Sequence, residues 1–220
     1  RENMSVASKI SEIRAALPSG VTLVAVSKFH PAEAILEAYG AGQRIFGESR
    51  VQELMAKFEA LPKDIEWHMI GHLQTNKVRA IAPFVSLVHS VDSQRLAECI
   101  DREAARCNRV IDCLLELHVS SDATKSGWDL DELRSYLATG AFRELRNIRF
   151  RGIMGMATYT DDVNIIRADF EALAAAKREL EPLFDDDFNI LSMGMSDDYP
   201  IAVECGSTMV RVGSRIFGAR

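Results

Sequence analysis

The chain has 220 residues, of which 47% are hydrophobic and 26% are charged, which is ordinary for a globular protein with a sizeable core. Its formal net charge of -6 argues against nucleic acid or an anionic membrane as the main partner. No apolar run reaches the roughly 20 residues of a membrane helix, and the N-terminus lacks the apolar core of a secretory signal. The four cysteines form no CxxC pair, which predicts reduced thiols in a cytoplasmic protein and gives no support to a zinc site.

The dominant pattern along the chain is a strand followed by a loop and a helix. The pattern predicts strands at residues 22–26, 44–47, 66–70, 87–91, 112–119, 149–156, 189–193 and 209–212. It predicts helices at residues 5–17, 32–39, 51–60, 75–81, 94–106, 130–137, 163–183 and 196–205, with a last helix after the eighth strand.

Eight strands that alternate with helices predict a (β/α)8 TIM barrel with an extra N-terminal helix ahead of the first strand. An open doubly wound sheet is the alternative. The barrel is favoured because the units fill residues 1–220 as a single domain, without a linker rich in proline, glycine or serine. In such a barrel the functional residues lie at the C-terminal ends of the strands.

Lys28 follows the first predicted strand, in the stretch VTLVAVSKFHP. In a barrel it lies at the C-terminal mouth and has the parity of Val24 and Val26, so it points to the side to which they point. An amine that is partly removed from water is more often neutral, and a neutral amine attacks a carbonyl to form a Schiff base. The alternative is a lysine that extends out of the mouth into water.

The stretch LSMGMSDDYPIAVECGSTMVRVGSRIFG contains the last two strands, after which barrels often bind a phosphate. Ser196 is predicted at the N-terminus of a short helix, and Gly213 and Ser214 follow the eighth strand, where the backbone can approach an anion. Asp197 and Asp198 would repel a phosphate, so we expect their carboxylates to point outward. The alternative is that these positions are only capping and turn residues.

Arg211 lies on the predicted eighth strand, which barrel closure places beside the first strand. It can therefore reach the cavity that Lys28 faces. The alternative is a salt-bridged arginine, paired with Glu48 or Glu204. Three features then meet at one barrel mouth: a lysine that can bind an aldehyde, a phosphate site, and a fixed cation. Together they suggest pyridoxal 5'-phosphate (PLP) as the cofactor.

A set of ordered motifs makes this suggestion specific. They are VAVSK, FGESRVQEL, WHMIGHLQTNK, HSVDS, GIMGMA and the C-terminal stretch quoted above. Together they resemble the motifs of the PLP homeostasis protein family, single-domain relatives of the alanine racemase N-terminal barrel, over about residues 5–220. The resemblance implies a Schiff base of PLP on Lys28 and a pyridine nitrogen that faces Arg211. It also implies phosphate contacts and a pocket lining, formed by Ser196, Gly213, Ser214, Val26, Met193 and Met195.

Three places depart from the family pattern. The sequence FHP, at residues 29–31, follows Lys28, where the family commonly has a threonine, and we expect this to affect the loop more than the Schiff base. Ser49 stands where the family usually has asparagine, and its shorter hydroxyl puts that contact with the cofactor in doubt. Gly155, in GIMGMA, is expected to leave space near the ring of the cofactor.

The resemblance implies a cytoplasmic PLP-binding protein of PLP homeostasis, expected to be a monomer that exchanges PLP with PLP-dependent apoenzymes without robust catalysis. A permanent cation opposite the pyridine nitrogen disfavours its protonation and weakens the ring as an electron sink, which suits storage. A PLP-dependent amino-acid racemase is the alternative, but its second base is a tyrosine from a β domain that we do not expect here, and nothing in the spacing of Tyr159 or Tyr199 supports a substitute. A lysine-dependent aldolase that acts on a phosphorylated sugar is a third interpretation, because it uses similar residues.

The histidines predict no metal site. His68 and His72 are four residues apart, but Gly71 and a strand-to-loop setting are unsuited to a helical metal site. His89 and His118 lie in predicted apolar strands, where we expect hydrogen-bonded core histidines.

Overall fold

The structure, a computed structural model, describes residues 4–124 and 126–219. In this part of the chain eight parallel strands form a closed barrel, in which each strand pairs with the next and the first pairs with the last. They are β1 (Thr22–Val26), β2 (Ile45–Glu48), β3 (Glu66–Met69), β4 (Leu87–Val91), β5 (Ile111–Glu116), β6 (Ile148–Met154), β7 (Ile190–Ser192) and β8 (Met209–Val212). The predicted barrel is confirmed, and the open doubly wound sheet is wrong because the sheet closes on itself.

Helices cover the outside of the barrel. In the described residues they are α1 (Val6–Ala16), α2 (Ala32–Gly40), α3 (Val51–Ala60), α4 (Val78–Ile81), α5 (Gln94–Arg106), α6 (Leu130–Ala138), α7 (Val163–Leu180), α8 (Tyr199–Glu204) and α9 (Ser214–Phe217). The predicted extra helix is α1, and it begins after Ser5, whose Oγ accepts a hydrogen bond from Ser8 N. No helix in these ranges is long and apolar enough to cross a membrane.

The predicted short helix at 196–205 begins three residues late, at Tyr199. Asp198 is the reason, because its Oδ1 accepts a hydrogen bond from Met195 N at 2.7 Å and holds the preceding residues as a turn. Pro200, in the first turn of α8, then favours the helical φ. Ser196 therefore lies in the loop before the helix and not at the helix N-terminus.

The fifth and sixth strands are shorter than predicted and end at Glu116 and Met154. Leu117 N still donates to Met154 O on β6 at 2.9 Å, and beyond it the backbone pairs with a loop residue instead, since His118 N donates to Trp128 O at 2.8 Å. His118 is thus outside the strand in which it was predicted.

The barrel interior is divided into an apolar layer and a polar layer. The apolar layer contains Val24, Leu87, Leu114, Met154 and Met209, with Ile190 packed against it. On four strands the residue two positions after an apolar-layer residue is buried and polar: His89, Glu116, Ser192 and Arg211. Because alternate strand residues point to the same face, these side chains lie between the apolar layer and the C-terminal mouth.

Gly152 occupies a backbone position that no other residue can adopt without strain. It lies beside the irregularity in the pairing of β5 with β6 and has a φ of +149°. A Cβ at this position would lie 1.8 Å from the carbonyl oxygen of Ile190 on the neighbouring strand. The glycine therefore permits close pairing of β6 with β7.

We expect Gly152→Ala to lower the free energy of unfolding by about 3 kcal/mol or more, because the backbone must move to admit the methyl group. Gly40→Ala is the control, since nothing lies within 4 Å of a Cβ there, and its change should stay within about 0.5 kcal/mol. Urea unfolding measures both values. Equal urea midpoints for the two variants would contradict the close approach.

Candidate functional site at the barrel mouth

A cavity of about 1610 Å³ opens at the C-terminal ends of the strands. Seven of the eight residues predicted for the cofactor line it: Val26, Lys28, Met195, Ser196, Arg211, Gly213 and Ser214. Met193 does not, contrary to the prediction, because it is fully buried in the core between strands and helices. Its neighbour Ser192 points into the barrel, so Met193 points outward.

Lys28 follows β1 in a loop whose backbone is held on both sides by side chains of α3. Lys57 Nζ donates to Ser27 O at 2.8 Å, and Glu53 Oε2 accepts from Phe29 N at 2.6 Å. Phe29 has a φ of 66°, which is uncommon for a residue other than glycine and needs such support. The backbone around Lys28 is therefore fixed by contacts that do not involve the Lys28 side chain.

The two contacts that hold this loop belong to one buried ionic cluster. Lys57 Nζ also lies 2.9 Å from Glu48 Oε2 and 2.8 Å from Glu53 Oε2. Ser27 Oγ donates to Glu48. Burial raises the pKa of Glu48, while the Ser27 hydrogen bond and the charge of Lys57 oppose that rise. The lysine thus compensates the carboxylates that surround it.

Arg211 is buried in the polar layer, with 3% of its surface exposed, and also lines the cavity. Its Nη1 donates to Ser192 Oγ at 2.6 Å and its Nη2 donates to Gly155 O at 3.1 Å. Burial lowers the pKa of Arg211 to about 10, and the charges of Glu116 and Asp198 oppose that change. The guanidinium is therefore still a cation at neutral pH.

The alternative partners expected for Arg211 are engaged elsewhere. Glu48 pairs with Lys57, and Glu204 lies 2.6 Å from Arg167 Nη2. The interpretation of Arg211 as the partner of either glutamate is wrong.

The three residues predicted for phosphate binding lie together on the cavity wall. Ser196 Oγ accepts a hydrogen bond from Gly213 N at 3.1 Å, and Arg215 Nε donates to Ser196 O at 3.0 Å. A Cβ on Gly213 would lie 3.1 Å from Val26 O, so the absence of a side chain lets the ends of β1 and β8 approach closely.

The two neighbouring aspartates behave differently from each other. Asp197 is exposed, but it lines the cavity together with Ser196, so its predicted outward orientation stays a prediction. Asp198 is half-buried and its carboxylate turns back to Met195 N, so its predicted outward orientation is wrong. Burial raises the pKa of Asp198, and the hydrogen bond from Met195 and the charge of Arg211 oppose this.

Comparison with known proteins identifies the family. The alanine racemase N-terminal domain family matches residues 4–220. A pyridoxal phosphate homeostasis protein from Synechocystis sp. is 40% identical over 215 residues, which cover 96% of each chain. The chain belongs to the pyridoxal phosphate homeostasis protein family. The predicted resemblance to that family is confirmed.

Solved structures support the same assignment. The structure of PipY from Synechococcus elongatus PCC7942 with PLP bound is similar with a TM-score of 0.89 and 40% sequence identity, and covers 97% of this chain and 100% of PipY. Alanine racemase from E. faecalis has a TM-score of 0.71 and 16% identity, and covers 98% of this chain and 58% of the racemase. The racemase likeness shows that the two proteins share the barrel fold.

Ser49 and Gly155, two of the departures from the family pattern, are not among the residues that line the cavity. A Cβ on Gly155 would lie 2.5 Å from Leu173 Cδ2 on α7, so the missing side chain makes room for that helix. A Cβ on Gly71 would lie 2.7 Å from Ser49 Cβ, so Gly71 allows the loops after β2 and β3 to pack together.

Sequence reasoning missed a part of the cavity wall formed by the loops after β5 and β6. Ser121 N donates to Thr158 Oγ1 at 2.9 Å, and Tyr159 N donates to Asp122 Oδ2 at 3.0 Å, so the two loops are joined. His118, predicted as a core histidine, is half-buried and lines the cavity. No motif in the sequence marks these loops as neighbours.

The histidines and cysteines form no metal site in the described ranges, where no group of three His, Cys, Asp or Glu side chains could hold an ion. His68 Nδ1 and His89 Nε2 lie 2.9 Å apart and both rings are buried, as expected for His89. His72 is exposed. All four cysteines are free thiols.

Lys57→Met should lower the free energy of unfolding by about 3–5 kcal/mol, because Glu48 is left buried without a cation. Lys9→Met provides the control, on a partly exposed lysine of α1, and should change the free energy of unfolding by about 0.5 kcal/mol or less. Both values come from urea unfolding at pH 7. Equal losses for the two variants would mean that the cluster does not stabilise the loop.

Stability should fall as the pH is lowered from about 6.5 towards 3. Burial lowers the pKa of His68 to about 3 and that of His89 well below its ordinary value. Between these pH values the unfolded chain binds protons that the folded chain excludes, so each histidine contributes a slope that approaches about 1.4 kcal/mol per pH unit.

The measurement is urea unfolding between pH 7.5 and 4.5 for the wild type and for His68→Gln, which keeps an acceptor but does not titrate. The variant should lose less stability per pH unit than the wild type. Identical slopes would show that His68 takes up a proton equally in both states.

Proposed function

We propose that this chain binds PLP in the mouth cavity, that Lys28 bonds covalently to its aldehyde as a Schiff base, and that the protein acts in intracellular PLP homeostasis. The observation that carries the proposal is that Lys28 and Arg211 line one cavity in a chain 40% identical to PipY, whose structure holds PLP. Bound PLP supplies an aldehyde that amines attack and a ring that accepts electron density.

The chemistry of the cavity fits this cofactor. Lys28 offers an amine on a loop with a fixed backbone, which limits the positions that its Nζ can occupy. Arg211 offers a cation in a site that is largely removed from water, where its charge acts more strongly than at a surface. Ser196, Gly213 and Ser214 offer a hydroxyl-bearing, glycine-containing wall for the phosphate.

Arg211 favours retention of the cofactor over broad catalysis. A guanidinium has donors only and is protonated at neutral pH, so it offers no proton acceptor to the ring. Beside a pyridine nitrogen it disfavours ring protonation, and the ring then stabilises a carbanion less well. We propose that the role of Arg211 is to hold the cofactor in a weakly reactive state.

An amino-acid racemase is the second candidate, because the chain matches the alanine racemase N-terminal domain family. Two-base racemisation needs an acid or base on each face of the substrate. Tyr159 lines the cavity, but its side chain is 92% exposed, and Tyr199 is not among the lining residues. These positions support the carrier proposal over the racemase.

We further propose a cytoplasmic, single-domain monomer that passes PLP to PLP-dependent apoenzymes. The four free thiols agree with a reducing compartment. The negative charge of the chain agrees with small-molecule and protein partners rather than nucleic acid or a membrane.

After incubation with PLP, the protein should absorb in the violet, and borohydride should fix the cofactor on the peptide that contains Lys28. Lys28→Ala should lose the violet band and the added mass of the fixed cofactor, because the variant has no amine at this position to bond to the aldehyde. Lys63→Ala, on the surface, should keep both. Absorption spectra and peptide mass spectrometry provide the measurements, and undiminished labelling of Lys28→Ala would contradict the proposal.

Sustained interconversion of D- and L-amino acids by the loaded protein would favour the racemase over the carrier. We expect turnover to be absent or far below the 1–1,000 per second that is typical of enzymes. Chiral chromatography of the amino acids after incubation provides this measurement.

A further inference from the structure

A continuous chain of hydrogen bonds crosses the barrel beneath the cavity. It runs from Arg211 on β8 to Ser192 on β7, at 2.6 Å, then to His89 on β4, at 3.0 Å, and to His68 on β3, at 2.9 Å. All four side chains are at most 3% exposed. Because β4 and β7 are not neighbours, the link between His89 and Ser192 passes through the barrel interior and not along the sheet.

The guanidinium of Arg211 fixes the direction of the first hydrogen bond in this series and favours one direction for the others. It can only donate, so Ser192 Oγ accepts from it. The single hydroxyl hydrogen of Ser192 is then available for His89 Nδ1, which accepts. A neutral imidazole carries one N–H, so His89 carries it on Nε2 and donates to His68 Nδ1, and His68 also carries its proton on Nε2.

This direction of the hydrogen bonds suits the positive charge of Arg211, which lies at one end of the hydrogen-bonded series. Every donor points away from Arg211 and every acceptor lone pair points towards it, so the dipoles of the neutral groups stabilise the cation. A proton on His89 or His68 would remove an acceptor and place a second positive charge near the guanidinium. Burial lowers the pKa of both imidazoles, which keeps the rings in the neutral form that the chain requires.

The chain also restricts where the guanidinium can go. Ser192 Oγ and Gly155 O each take one of its donors, one on Nη1 and one on Nη2, and thereby orient the plane of the group. Two acids act on Arg211 through their charge, but each accepts a hydrogen bond from another group: Glu116 from Ser126 and Asp198 from Met195 N. Without Ser192, the attraction of these acids would compete with Gly155 for the guanidinium.

We propose that Ser192, His89 and His68 are positioning residues, which act through Arg211 to aim its guanidinium into the cavity. The role of Arg211 towards PLP rests on the proposed function above, whereas the hydrogen-bonded chain does not depend on any ligand. Ser192, His89 and His68 are not among the residues that line the cavity, so their effect on a ligand passes through Arg211.

The direction of the chain can be tested on the protein without PLP. In ¹⁵N-histidine long-range NMR spectra near pH 7, both buried histidines should carry their proton on Nε2. Ser192→Ala should change the Nδ1 shift of His89, since it loses its donor, and Ser192→Thr, which keeps a hydroxyl, should restore it. A wild-type His89 with its proton on Nδ1 would overturn the assignment.

The positioning role is tested by PLP titration of the same variants. Ser192→Ala should raise the Kd for PLP by about tenfold or more and shift the violet absorption maximum, because a hydrogen bond to a charged group is lost. Ser192→Thr should stay near the wild type. An unchanged Kd and spectrum for Ser192→Ala would overturn the positioning role, while failure of the wild type to bind PLP would reject the proposed function and leave the NMR result standing.

Discussion

The pairing of β1 with β8 is the constraint on which the cavity depends. Val24 on β1 stands opposite Arg211 on β8, and Lys28 follows four residues later along the first strand and its loop. Closure of the sheet therefore brings an amine from the start of the chain and a cation from its end to one opening. In an open doubly wound sheet the first and last strands do not pair, so the same strands would not bring the two groups together in this way.

The second constraint is the cost of burying charge. The barrel has an apolar layer below and a polar layer above, produced by period-2 alternation on strands that change from apolar to polar residues near their C-terminal ends. A buried cation loses its hydrogen bonds to water and needs protein acceptors in their place. Arg211 has the hydroxyl of Ser192 and the carbonyl of Gly155. Lys57 meets the same need with two carboxylates and the Ser27 carbonyl. The two buried cations thereby serve different parts of the mouth.

Helices and strands with clear start and stop signals in the sequence were predicted with the correct first and last residues. The strands β1, β4 and β8 and the helices α3 and α5 have the predicted bounds. The start of α8 was wrong because a side-chain hydrogen bond of Asp198 stabilises a turn where the pattern predicts helix. The error at Met193 was avoidable, since an inward Ser192 implies an outward neighbour on the same strand.

Contacts across the barrel could not be predicted from one sequence. His89 and Ser192 are 103 residues apart and lie on strands that do not pair, so neither spacing nor strand order connects them. The same is true of the loops after β5 and β6, which join through Thr158 and Asp122. Hydrophobic periodicity indicates which face a residue occupies, but the partner on that face depends on the tilt and stagger of the closed barrel.

The hydrogen bond between Gly213 N and Ser196 Oγ bears on how tightly an anion could be held. The Gly213 amide already donates to Ser196 Oγ, so a new acceptor would contribute to the binding free energy only the difference between the two hydrogen bonds. A phosphate at this wall would have to displace the serine hydroxyl or bind beside it, and on its departure the hydroxyl could take its place again. If the phosphate binds at this wall as proposed, the serine hydroxyl would replace it as the acceptor on release, and the penalty for release would be lower.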